Sequence, residues 1–312
     1  MSPMIVRKTV LLVKAETTYD TDPTPSSTAD SLVVMDLNIK ENAGIVNREA
    51  QWKSLGTLPS LLGEQWAEAT FKIHVIGSGT AGTAPRIGAL LKACGLAETV
   101  ISNTSVTYAP SSSTHGSVTL YIYKDGRLHI MTGCRGKLKL VYAAGQALTM
   151  EFTMSGRYAA PTVVAIPTTV TYETTYKLPP VCKSSQFSYN SKTTLIVGTL
   201  ELDLGNEVVK RPSLSDANAV KGFEITSRAP TFSIDPEAQF ETSYTFRSDW
   251  ATTQRQISVV ATRAAGNIVT LTIPNSNITS IEYNERDGIQ VEKISGECAE
   301  STPDDAFTLA FT

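Results

Sequence analysis

Leu32-Val-Val-Met-Asp-Leu-Asn-Ile39 and Leu195-Ile-Val-Gly-Thr-Leu-Glu-Leu-Asp-Leu204 decide the fold. In both stretches apolar and polar residues alternate, the period-two pattern of a strand with one buried face. The stretches also match each other. Leu32-Val-Val, Leu37, Ile39, Ile45-Val46 and Arg48 align with Leu195-Ile-Val, Leu200, Leu202, Val208-Val209 and Arg211 at one constant offset, without gaps. A strand pattern that recurs at a fixed distance points to a tandem duplication.

Outward from these segments the alternation continues. It runs through Ala69-Thr-Phe-Lys-Ile-His-Val75, Val118-Thr-Leu-Tyr-Ile-Tyr123, Lys137-Leu-Lys-Leu-Val-Tyr142, Leu148-Thr-Met-Glu-Phe-Thr-Met154 and Ile268-Val-Thr-Leu-Thr-Ile273. Lys124-Asp-Gly126 lies between two such runs and predicts a hairpin turn. Phe71-x-Ile73 has a partner in Phe232-x-Ile234, the hairpin about Gly126 is echoed near Gly266, and Gly145–Phe152 is echoed by Gly288–Ile294. The expectation is a mainly β, antiparallel chain of two similar units, residues 1–177 and 178–312, meeting near Lys177. The proline-bearing stretch Ala159–Thr169, followed by Leu178-Pro-Pro180, reads as an extended connector. Tyr19–Thr28 reads as an exposed loop or arm. A short helix is expected from Pro85 to Cys94, stopped by Gly95. Its weaker counterpart begins at Pro236-Glu-Ala-Gln-Phe240.

Composition narrows the function. Charged residues are 18% of the chain, below the usual quarter, while hydrophobic residues reach 41%, enough for a substantial core. A weakly charged, Thr-rich surface suits a protein that buries itself in subunit contacts, and it also suits an ordinary β protein. Net charge is −3 without a Lys/Arg run, which argues against tight nucleic-acid binding but not against a surface that DNA slides past. Cys94, Cys134, Cys182 and Cys298 have no metal-ligand spacing and read as free thiols of a reducing cytosol. The apolar run Val10–Val13 is too short for a signal-peptide core or a membrane span.

Gly77-Ser-Gly79-Thr-Ala-Gly82 fits the dinucleotide-binding pattern G-x-G-x-x-G. The strands around it alternate, however, whereas the parallel sheet of a dinucleotide fold needs nearly continuous apolar runs. Glu98 has roughly the required spacing but lies outside a convincing second strand. A flexible glycine loop is the preferred reading, with a nucleotide-binding enzyme as the remote alternative. No nucleophile elbow, zinc-protease pair or phosphate loop occurs, and His74, His115 and His129 have no ligand or carboxylate neighbour at useful spacing. Asp20 with Asp22, and Asp304 with Asp305, read as solvated loop charges in preference to a cation site. No catalytic, cofactor or metal residue is assigned. Trp52, Trp66 and Trp250 can line a cleft or anchor an interface. Trp52 and Trp66 flank an apolar loop containing Leu55, Leu58, Leu61 and Leu62, which a lone subunit should not leave exposed. These six residues are the candidate assembly surface.

The text of the chain resembles the major tail tube proteins of siphophages. The resemblance rests on Ala15–Pro25, Gly77-Ser-Gly-Thr-Ala-Gly-Thr-Ala-Pro85, Leu90–Val100, Tyr108-Ala-Pro110 and Gly133-Cys-Arg-Gly136. In the second half it rests on Leu202-Asp-Leu-Gly-Asn206 and Ser227-Arg-Ala-Pro230. It implies a β-sandwich with a flanking helix, whose inner sheet joins those of neighbours into a ring-shaped barrel. Rings of such units are usually hexameric; with two units per chain, three copies would close a ring of pseudo-sixfold symmetry. It further implies stacking into a tube that conducts DNA without binding it specifically, and no cofactor. The implied partners are further copies of the chain and the tape measure, tail terminator and distal tail proteins. Assembly in the host cytoplasm would precede residence in the virion tail. Thr17–Asp30 and Gln51–Gly63 are the candidate contacts between rings. A distal tail or baseplate ring protein of the same fold is the alternative.

Overall fold

The computed structural model describes residues 4–173, 178–239, 246–250, 253–262 and 264–312. The expected boundary at Lys177 lies outside them. The first half contributes β1 (Thr9–Ala15), β2 (Ser31–Leu32), β3 (Met35–Val46), β4 (Leu61–His74), α1 (Gly88–Ala93), β5 (Leu96–Ile101), β6 (Ser105–Pro110), β7 (Val118–Lys124), β8 (Arg127–Ala143), β9 (Thr149–Tyr158) and β10 (Thr162–Val163). The second contributes β11 (Gln186–Tyr189), β12 (Val197–Asp203), β13 (Asn206–Pro212), β14 (Val220–Arg228), β15 (Thr231–Pro236), β16 (Arg255–Ala261), β17 (Val269–Arg286), β18 (Ile289–Cys298) and β19 (Thr308–Phe311). The fold is mainly β and antiparallel, as the alternation predicts.

One continuous antiparallel sheet crosses both halves in the order β3-β4-β9-β8-β12-β15-β18-β17. Its inner face carries Phe71, Leu138, Leu140, Phe152, Leu202, Phe232 and Ile294, all buried. The Phe71 and Phe152 rings stack at 5.5 Å across β4 and β9; truncating either to Ala should cost about 3–5 kcal/mol. β8 and β17 each serve two layers. The start of β8 pairs with β7 and the start of β17 with β16, and each shifts register part-way before joining the long sheet. Such irregularities bend a strand from one layer to the other of a sandwich. The two halves then show the same pairing order: β1-β7-β8-β9-β4-β3 in one, β11-β16-β17-β18-β15-β12 in the other.

Several local expectations are corrected. The helix begins at Gly88, three positions later than the proline signal, because Pro85 only opens a turn in which Gly88 N–H reaches its carbonyl at 2.9 Å. Pro236 ends β15 instead of opening a helix, and Phe240 lies outside the described residues. Tyr19–Thr28 is a largely exposed loop, as expected, but it is tied to its own subunit. Asp20 holds Arg157 and accepts from Thr132, while Tyr121 donates to Asp22. The Lys124-Asp-Gly126 hairpin forms as expected, with Lys124 opposite Arg127 and positive φ at Asp125 and Gly126. β19 pairs on one side with β17 and on the other with β6, so it joins the outer layers of the two halves.

Candidate assembly surface

β3 and β4 extend past the body of the sheet as a hairpin arm. Ile45 and Val46 face Leu62 and Leu61 across it, and all four are exposed. At its tip Leu55 is 108% exposed, and Trp52 is folded over the loop by an indole hydrogen bond to the Gly56 carbonyl at 2.8 Å. Leu58 is half-buried. Trp66 sits apart from this cluster, within β4, under the Lys210 ammonium at 3.9 Å. The arrangement therefore gathers Trp52, Leu55, Leu61 and Leu62 at or near one tip and leaves Trp66 in a contact between the halves. Ile45 and Val46 belong to the same apolar tip; their signal was present in the repeat, as a match to Val208 and Val209.

The second half carries a counterpart arm, β13 with β14, and there the arm folds back. Gly205, with φ of 59°, turns the chain after β12 where a larger residue would be strained. The hairpin then lies on the first half. Arg135, nearly buried, donates to the Phe223, His115 and Gly116 carbonyls, pairs with Glu224 and stacks over Tyr19. Tyr19 accepts from Phe223 N–H at 2.7 Å. Glu64 pairs with Lys210, and Gln65 N–H reaches the Asn218 carbonyl at 3.0 Å. Burial acts to raise the Glu224 carboxyl, but Arg135 and His115 outweigh it and hold it below its ordinary value. His115 thus has a carboxylate neighbour, as does His129 in Glu41 at 3.3 Å; neither is close in sequence.

Two edges of the long sheet have no strand beside them among the described residues: the outer side of β3, and the outer side of β17 from Ser280 to Arg286. Between the halves the corresponding positions are paired, Thr199–Asp203 of β12 with Lys139–Ala143 of β8. The sheet face away from the core is polar. Cross-strand ion pairs join Lys72 to Glu151 and Lys139 to Glu201 at 2.9 Å, and Arg286 to Asp235 at 3.1 Å. A row of Thr70, Thr153, Ser233, Ser295 and Ser280 runs between them.

The glycine motif is a packed clasp, not a flexible loop. Gly77 N–H donates to Asn267 Oδ1 at 2.8 Å and Gly79 N–H to the Gly266 carbonyl at 2.9 Å. The Gly266 turn fills the space that a pyrophosphate would need. Glu98 is likewise structural, accepting from Tyr108 at 2.6 Å and Lys92 at 3.0 Å. Asp304 accepts from Ser112 and Arg228, and Asp305 caps Ser301 and Thr302. Among the described residues no cluster of three or more His, Cys, Asp or Glu could hold a metal, and no helix is long and apolar enough to cross a membrane. The four cysteines are free and buried; burial pushes the Cys298 thiol up to about 12.

The profile of the family described as phage tail tube protein matches residues 7–305. The chain belongs to the phage tail tube protein family. No curated protein matches it. As a tail tube protein it is a structural component of the phage tail, and membership implies self-assembly into the tube. The resemblance read from Gly77–Pro85 and Leu90–Val100 is thus confirmed by a match over nearly the whole chain. Both stretches serve the subunit's own packing.

Proposed function

We propose that copies of this chain close head to tail into rings, that the rings stack into the tail tube, and that the tube conducts DNA during ejection. The observation that carries this is the seam between β8 and β12. It pairs the halves within one copy, while the equivalent edges, β17 and β3, at opposite ends of the same sheet, have no strand beside them among the described residues. Open edges are a hazard unless paired, and cyclic repetition pairs all of them. Residues 1–177 and 178–312 then act as two tube units, so three copies supply a pseudo-sixfold ring. The apolar tip of Trp52, Leu55, Leu61 and Leu62, with Leu58, is the contact between rings. Trp66 supports the arm.

The polar face lines the lumen in this arrangement. Its cations are interleaved with carboxylates and hydroxyls, so DNA meets no basic stripe that would release counterions and bind it. The role is structural, not enzymatic, and the ends of the tube meet the tape measure, terminator and distal tail proteins. Subunits are made in the host cytoplasm and end in the virion tail.

Negative-stain microscopy of the purified chain tests the reading. Stacked rings forming tubes are expected. A chain that stays monomeric at every concentration, or that occurs as a single ring per virion as a baseplate protein would, overturns it.

A further inference from the structure

The halves are similar enough that pairing between copies could go wrong. The open edge of β3 corresponds to the edge of β12 that pairs with β8, and the open edge of β17 to the edge of β8 that pairs with β12, so an open edge could invade that seam before it has formed. We propose that inverted charge at these edges distinguishes the seam between copies from the seam within a copy. This rests on the ring reading above and adds its register and its specificity.

Equivalent positions follow from the strand pairings and the offset of the repeat. In the first half Asn38 faces Thr70, Thr70 faces Thr153, and Thr153 faces Lys137. In the second Glu201 faces Ser233, Ser233 faces Ser295, and Ser295 faces Ser280. Asn38 matches Glu201 at the offset that matches Leu32 with Leu195. Lys137 therefore corresponds to Ser280, and two residues on, Lys139 corresponds to Glu282. Likewise Lys40 corresponds to Asp203.

Within the chain Asp203 lies opposite Lys139. Carrying that register to the open edges sets Lys40 of one copy opposite Glu282 of the next, Asn38 opposite Asn284, and Ile39 opposite Tyr283. At this position the signs are reversed between the seams: β12 carries Asp203 and β3 Lys40, while β8 carries Lys139 and β17 Glu282. Opposite charges facing across strands stabilise, and like charges destabilise. Both correct seams are complementary. Both wrong ones, β3 on β8 and β12 on β17, place like charges together, Lys40 on Lys139 or Asp203 on Glu282. Rejection of this kind is how specificity is set between similar partners. The flanking groups agree. Lys40 faces Glu68 on its own sheet and Glu282 faces Lys293, so the row across the seam reads Glu68, Lys40, Glu282, Lys293 with alternating sign. Tyr283, 62% exposed beneath Arg247, gains Ile39 as an apolar neighbour.

The test uses the full chain. Asn38→Cys combined with Asn284→Cys should give disulfide-linked multimers on oxidation of assembled tubes, since directly opposed residues have the required Cα spacing. Asn38→Cys with Arg286→Cys, displaced along the strand, should not. Lys40→Glu alone, and Glu282→Lys alone, should each raise the concentration needed for assembly about three- to tenfold, and the double exchange should restore it. An unchanged thermal transition of the unassembled variants separates this from misfolding. Tubes that form without the Asn38–Asn284 crosslink, or a double exchange no better than the singles, overturn the charge code and leave the ring reading standing. Failure of the unmodified chain to form any ring or tube overturns both.

Discussion

At Gly77 a Cβ would lie 2.2 Å from the Gly266 carbonyl oxygen, a clash that only backbone movement could relieve. Gly77→Ala should therefore destabilise the subunit by about 1–3 kcal/mol, read as a lower denaturant midpoint. NAD, FAD or ATP should leave the thermal transition of the unmodified chain unmoved; a nucleotide-dependent rise that Gly77→Ala removes would restore the dinucleotide reading. Glu224 supplies a pH handle on the folded-back arm. Its carboxyl is held below the ordinary value of 4.5, with burial opposed by Arg135 and His115. A depressed value means the contribution is complete above about pH 4.5 and is lost as pH falls through the lower folded value. Hydrogen-exchange protection of β13 and β14, relative to the intrinsic rate at each pH, should fall in that acid range. In Glu224→Gln that dependence should shrink.

The tip of the β3–β4 arm can be removed without touching the core, because Leu55, Leu61 and Leu62 are exposed. Deleting Leu55–Leu62 should leave a folded subunit with an unchanged circular dichroism spectrum that no longer forms tubes; unaltered tube length and yield would refute the role given to the tip. Legibility at this scale followed the physics of alternation. β7, β9 and β12 alternate in sequence, and the spans expected from that alternation lie within a few residues of the observed strands. β17 was read only to Ile273, because Pro274-Asn-Ser looks like a turn. Proline is accommodated there by the register shift opposite Gln256, where a missing N–H breaks no ladder bond. Gly63-Glu-Gln hides the start of β4, the Val208-Val209 match of the repeat marks β13 alone, and β14 has no strand signal in the sequence reading. Four tip residues of the candidate surface were legible as an apolar loop. The open edges were not, since an unpaired edge is a property of neighbours and not of local sequence.

On the scale of the whole molecule, β19 is the element that joins the outer layers. Leu309 and Phe311 are buried, and the Tyr108 and Phe311 rings meet edge to face at 5.8 Å. Removing residues 308–312 should cost roughly 3–6 kcal/mol of apolar burial. In a thermal scan that corresponds to a fall in Tm on the order of 10 °C; a truncated chain melting with the intact one would show the strand to be dispensable. The placement also has a consequence in time. At about 5–20 residues per second, a ribosome completes β6 on the order of ten to forty seconds before it completes β19. Through that interval the Tyr108 strand has no partner on its β19 side, and the outer layers of the two halves stay unjoined even where the β8–β12 seam has already paired. Nascent chains on one message are thereby held short of the finished shape.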